Sequence, residues 1–367
     1  MRHIRLALIA VYSMAMTGTA EDPRAPAYSD HAKLMVYMND AGAEVAVKTP
    51  RDWSVRRRHI VSGMERAMGP MPDRSNLPAL DLRVLEESPG DGYTRRTISF
   101  VAEEGDRVPA HLYLPVMAKP SARAAGVLAL HPTSPLGKRV VAGLGPRPNR
   151  GYAVELAERG YVVIAPDYPS FGDYAGYDFA SDRYESGTMK GIFNHMRCVD
   201  VLQSLDVVAP DRIGAIGHSL GGHSAMFVGV FDERIKVIVS SCGWTPFHDY
   251  YGGNLKGWTS DRYMPRLRDV YSLDPNRVPF DFYEVVAALA PRGFFSNSPR
   301  GDDNFAVAGV EKAIPRAREV YQLLGAEDRL EVRHPESGHD FPVPVRNEAY
   351  EFMDRVLTHV PARSAVK

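Results

Sequence analysis

Ser219 stands in the run Gly217-His218-Ser219-Leu220-Gly221-Gly222, with glycine two places before it and two places after it. A serine hydroxyl attacks a carbonyl carbon only when a base removes its proton as the new bond forms. Small residues on both flanks permit a sharp strand-to-helix turn, because nothing on them collides with the neighbouring backbone. The nucleophile is then exposed at the tip of the turn. The helix that follows points free N–H groups toward negative charge developing beside it. A structural serine in a glycine-rich turn would show the same local spacing, so the reading depends on partners elsewhere in the chain.

Twelve histidines are available as the base. His339 lies in Pro335-Glu336-Ser337-Gly338-His339-Asp340-Phe341-Pro342, after the last strand-like run and before a C-terminal helix. His334 belongs to the strand end, where a buried structural histidine is the usual occupant. His218 and His223 are too close to Ser219 along the chain to reach its Oγ well. His339 is therefore expected to be the base. An acid that orients it should follow a strand between the two. After the run at 235–240 no carboxylate appears until Asp249, whereas the run at 293–296 leads into Asn297-Ser298-Pro299-Arg300-Gly301-Asp302-Asp303-Asn304. Asp302 or Asp303 fills the role, with Asp302 preferred. An oxyanion needs two N–H donors. Leu220 supplies one, and Thr133, in His131-Pro132-Thr133-Ser134, is preferred for the other because Pro132 has no N–H.

The elements that would position these groups alternate. Strand-like runs fall at 95–102, 108–116, 126–131, 161–165, 212–216, 235–240, 293–296 and 330–333, the first two joined by Glu104-Gly105-Asp106 as a hairpin. Most later runs are short and continuously apolar, as strands covered on both faces should be. Helical spacing fills the gaps at 152–159 and 189–202, and an earlier helix is expected over 53–68. The prediction is an α/β fold: a mostly parallel central sheet sandwiched between helices, preceded by an N-terminal helical extension over 21–80. The catalytic domain would span 81–362, with a lid or substrate insertion at 243–281.

With the order Ser, Asp, His and an antiparallel pair leading into a parallel run, residues 80–360 resemble the α/β-hydrolase superfamily, in particular acetyl xylan esterases and dienelactone-hydrolase-like serine esterases. The resemblance rests on the Ser219 turn, Pro166-Asp167-Tyr168-Pro169, Ala290-Pro291-Arg292 and the Gly338-His339 loop. It implies hydrolysis of a small-molecule or polysaccharide ester with no cofactor and no metal. Dienelactone hydrolases use cysteine where this chain has Ser219. Glucuronoyl esterases carry Cys-Ser-Arg and a later lysine where this chain has His218-Ser219-Leu220 and His223. A prolyl-oligopeptidase-like peptidase and a non-catalytic binding protein on a hydrolase scaffold are the alternatives. The first lacks a propeller-sized N-terminal region, and the second usually lacks a triad member.

Within 243–281, Trp244, Tyr250 and Trp258 are expected substrate platforms, and Lys256, Arg262, Arg266 and Arg268 could receive a carboxylate. Packing of these aromatics as a lid is the equal alternative. A basic start, an apolar stretch at 6–16 and Gly18-Thr19-Ala20 read as a signal peptide cleaved after residue 20. The mature chain is then periplasmic or secreted, with no membrane span. A net charge of −1 without basic clusters gives no electrostatic case for nucleic acid. Cys198 and Cys242 are too few for a disulfide framework, and both read as small buried apolar residues.

Overall fold

The computed structural model describes residues 26–362; the expected signal peptide lies outside them. A short antiparallel pair, β1 (Val36–Met38) and β2 (Glu44–Ala46), precedes α1 (Pro50–Met68). Thr49 caps α1 reciprocally with Asp52, each satisfying a backbone N–H of the other's end. Then follow β3 (Arg83–Pro89), β4 (Tyr93–Glu103), β5 (Asp106–Pro115), β6 (Ala124–Leu130), α2 (Tyr152–Glu158) and β7 (Val162–Pro166). The chain continues through α3 (Gly187–Ser204), β8 (Val208–His218), α4 (Leu220–Phe231), β9 (Ile235–Ser241), the single turn α5 (Arg266–Asp269) and α6 (Phe282–Ala288). It closes with β10 (Gly293–Asn297), α7 (Val307–Leu323), β11 (Leu330–Arg333) and α8 (Val343–Leu357).

The larger sheet has nine strands in the order β11-β10-β9-β8-β6-β7-β5-β4-β3. β3, β4 and β5 pair antiparallel, β5 meets β7 antiparallel, and every pairing from β7 to β11 is parallel. Alternate side chains of the central strands enter two different cores. On β7, Val162 and Ile164 join the core that also takes in residues of α1, α3, α4, α6 and α7, whereas Val163 and Ala165 join the core shared with α2 and α8. That two-sided burial is why these strands are apolar throughout. β3 was not anticipated: it is an edge strand with mostly exposed side chains, held by pairing with β4. The N-terminal segment contains a hairpin as well as the expected helix. It is fastened to α6 by Arg56, whose guanidinium lies 2.5 Å from Glu284, and by His31, 2.8 Å from the same carboxylate.

Parallel strands deliver their C-terminal ends to one edge. β6, β8, β9, β10 and β11 therefore bring five loops together above the sheet, and these loops carry the residues singled out in the sequence.

Candidate active site

Ser219 is the hinge between β8 and α4, with φ 56° and ψ −119°. A non-glycine residue holds such a conformation only where its surroundings over-determine it. Here its N–H donates to the Ser241 carbonyl at 2.8 Å, and its carbonyl accepts from Gly222 at 2.8 Å. The flanking glycines are required by contact. A Cβ on Gly217 would lie 2.1 Å from the Gly221 carbonyl oxygen, and one on Gly221 would lie 2.0 Å from that of Leu130.

His339 comes in on the loop between β11 and α8. Its Nδ1 is 3.0 Å from each oxygen of the Asp302 carboxylate. Asp302 is itself fixed, because Oδ1 accepts from the N–H groups of Asn304 at 2.9 Å and Phe305 at 3.1 Å. Burial of Asp302 opposes its charge, but His339 and those N–H groups outweigh it and hold the carboxyl below its ordinary range. Asp303 is exposed. The His339 ring stacks on Phe305 at 6.0 Å and meets His218 edge-on at 4.8 Å. The rival His334 is occupied elsewhere, with its Nδ1 2.8 Å from the Ser298 carbonyl.

His218 is buried, and its Nδ1 is 2.9 Å from Ser241 Oγ. Burial, then the charges of Arg150, His339 and Arg147, push its pKa well below the usual histidine value, so it is neutral. Ligand atoms of His218, Cys242 and His339 lie within 4.8 Å of one another, close enough to hold a metal ion, although both histidine Nδ1 atoms are engaged. Cys198 and Cys242 are both free thiols and buried.

Two chambers meet at Ser219. The wider, of about 360 Å³, is lined by Pro132, Thr133, Arg147, His218 and His339 among others. The narrower, of about 160 Å³, includes Thr133, Leu220, His223, Tyr250, Trp258 and Asn304. Leu220 opens α4, where an N–H has no acceptor within the helix. The Thr133 loop is set by His131: its Nδ1 is 2.7 Å from the Pro132 carbonyl, and its Nε2 accepts the Tyr168 N–H at 2.9 Å. Thr133 Oγ1 also meets the Tyr263 hydroxyl at 2.9 Å.

Of the three aromatic platforms expected in the insertion, Tyr250 and Trp258 line the narrow chamber, but Trp244 does not. Trp244 is 1% exposed, packs on Phe282 and Phe294, and donates from Nε1 to Ser296 Oγ at 2.9 Å. It is a core residue, held there by that packing and by the bond to Ser296, next to a glycine whose place a Cβ could not share with Gly222. The expected cations are mostly committed as well. Arg262 bonds Ser170, Arg266 bonds Glu185, and Arg268 bonds Asp269. Among the lining residues not singled out for binding from the sequence are Arg147, His223 and Asn304. His223 lies one helical turn after Ser219, a spacing that places it on the same face. Arg147 has no comparable local signal.

Residues 177–325 match the family described as glucuronyl esterase, fungi, a stretch that contains Ser219 and Asp302 but ends before His339. Over 308 residues the chain is 28% identical to YtaP of Bacillus subtilis, covering 80% of this chain and 97% of that protein. A solved glucuronoyl esterase from Solibacter usitatus superposes with a TM-score of 0.65 at 19% identity, covering 90% of this chain and 98% of its own. A promiscuous CE15 esterase from a marine bacterial metagenome gives 0.60 at 19% identity, covering 90% and 100%. With the strand order above, these likenesses establish the α/β-hydrolase fold.

Proposed function

We propose that the protein is a serine hydrolase that cleaves carboxylic esters through an acyl-enzyme, acting on short-chain or carbohydrate esters. The single observation that carries the reading is the Asp302–His339 hydrogen bond at the mouth of the chamber that Ser219 lines. His339 takes the Ser219 proton from its Nε2 side as Oγ attacks the ester carbonyl. Asp302 holds the ring by Nδ1 and stabilises the imidazolium that forms. The carbonyl oxygen becomes an oxyanion, received by the N–H groups of Leu220 and Thr133. The imidazolium then protonates the departing alcohol, leaving an acyl group on Ser219. Water, deprotonated by His339, attacks that acyl group and releases the carboxylic acid.

The glucuronoyl esterases of the same fold support a carbohydrate ester as the natural substrate. We assign the chemistry to residues 81–362, treat 243–281 as the insertion that walls the narrow chamber through Tyr250 and Trp258, and infer export after cleavage at residue 20. No helix among the described residues is long and apolar enough to cross a membrane.

The test is hydrolysis of nitrophenyl acetate and butyrate, and acetate release from acetylated xylan, by wild type and Ser219→Ala. A loss of at least about a thousandfold is expected, with unchanged circular dichroism. An unchanged rate in Ser219→Ala would refute the site.

A further inference from the structure

Both chambers at Ser219 lack a carboxylate among their described lining residues, yet the wider one carries Arg147. Arg147 is exposed, and no acidic side chain pairs with it among the described residues. Its neighbour Arg150 is differently placed: buried, it spends its guanidinium on Asp340 and on the His339 carbonyl. Arg147 is thus the cation left to face the chamber, and its field reaches His218.

The backbone that carries Arg147 is itself restrained. Pro146 and Pro148 flank Arg147 and restrict the backbone on both sides. The strap is pinned where it ends. Arg150 donates to the carbonyls of Pro148 at 3.3 Å and Asn149 at 3.1 Å. Asn149 in turn donates to Asp340 at 2.7 Å and accepts from Arg346 at 2.9 Å. This is a cation presented by a stiff loop rather than one on a free surface arm.

The side of the reaction it serves follows from proton transfer. The leaving oxygen must receive a proton from His339, and His339 lines the wider chamber alone. The alcohol therefore leaves through the wider chamber and the acyl group occupies the narrower one. Resting on the ester reading above, we propose that Arg147 selects esters whose alcohol portion carries a negative charge, the acyl portion being small.

A matched pair tests this: 3-acetoxybenzoate against 3-acetoxybenzamide, which differ in charge but little in shape. Wild type should favour the benzoate by about fivefold in kcat/KM at low ionic strength, the range of a partly exposed ion pair. The preference should shrink in high salt. Arg147→Gln should bring the ratio to about one, and Arg147→Lys should restore part of it. Binding of 3-hydroxybenzoate by calorimetry should weaken in Arg147→Gln by a similar factor. Hydrolysis with the same ratio in wild type and Arg147→Gln would overturn the anion site and leave the esterase standing. If neither ester is cleaved, weaker benzoate binding in Arg147→Gln sustains the site while the esterase reading fails, and equal binding overturns the site.

Discussion

Arg150 grips His339 by its main chain. The guanidinium donates to the His339 carbonyl at 3.0 Å and to the carboxylate of the next residue, Asp340, at 2.5 Å. The same loop is therefore held twice, by Asp302 at the ring and by Arg150 at the backbone. Asp340 is kept ionised by this contact: burial works against its charge, but Arg150 and Asn149 outweigh it. In Arg150→Met the ring should lose its fixed approach to Ser219. We expect a fall of about tenfold in kcat with little change in KM, together with about 2 kcal/mol of lost stability for the charged hydrogen bonds. Lost stability with kcat intact would make Arg150 a purely structural residue.

The two adjacent aspartates separate cleanly. Asp302→Asn should cost about three to four orders of magnitude in kcat/KM, because an amide no longer stabilises the imidazolium. Asp303→Asn, at an exposed position, should stay within about twofold. Comparable losses in both would mean that the loop, and not the carboxylate, is what matters.

The narrow chamber, at about 160 Å³, has room for a short acyl chain. Nitrophenyl acetate and butyrate should be cleaved readily, and octanoate at least about tenfold more slowly, since each misfit methylene is worth about 1 kcal/mol or more. Tyr250→Ala removes a wall and should flatten that dependence. If octanoate is the best substrate of wild type, the acyl group must lie elsewhere.

Stability should fall as the medium is acidified. Burial pushes His195 and His223 down to about 3, and burial with the charges of Lys138 and Arg95 does the same for His111. In the unfolded chain these rings take protons near pH 6.5, whereas the folded protein refuses them. The folded state thus binds fewer protons. Its stability is whole above about 6.5 and is lost progressively as pH drops toward 3, by up to about 1.4 kcal/mol per unit for each ring. Urea denaturation at pH 7, 6 and 5 measures the slope, which should be shallower in His195→Leu. A flat profile would mean that these rings are protonated in the folded protein.

The central strands and the turn at Ser219 were readable because burial on both faces and backbone collision each leave a mark in composition. Val162 to Ala165 must be apolar, and Gly217 and Gly221 must lack a Cβ. β3 left no such mark. Its side chains are exposed, and a neighbouring strand's hydrogen bonds set its conformation. Trp244 misled for a related reason: an aromatic residue after a strand suits a substrate platform and a core equally, and its partners Phe282, Phe294 and Ser296 come from distant parts of the chain. Asp302 is preferred over Asp303 on resemblance alone, and only the folded chain places its carboxylate against His339. Arg147 acquires its place through Asp340, 193 residues along the chain, a relation that no local pattern encodes.

The clasp that fastens Arg56 and His31 to Glu284 has a kinetic consequence. Arg56 and Glu284 are 228 residues apart in sequence. Closing a loop of that size costs about 5 kcal/mol in its length-dependent part, a cost met only once the intervening sheet has folded. The segment of the described chain that a ribosome makes first is therefore among the last to settle. Until α6 emerges, Arg56 has no Glu284 to meet, and the apolar side of α1, with Trp53, Ile60 and Met64, stays open to chaperones and proteases alike.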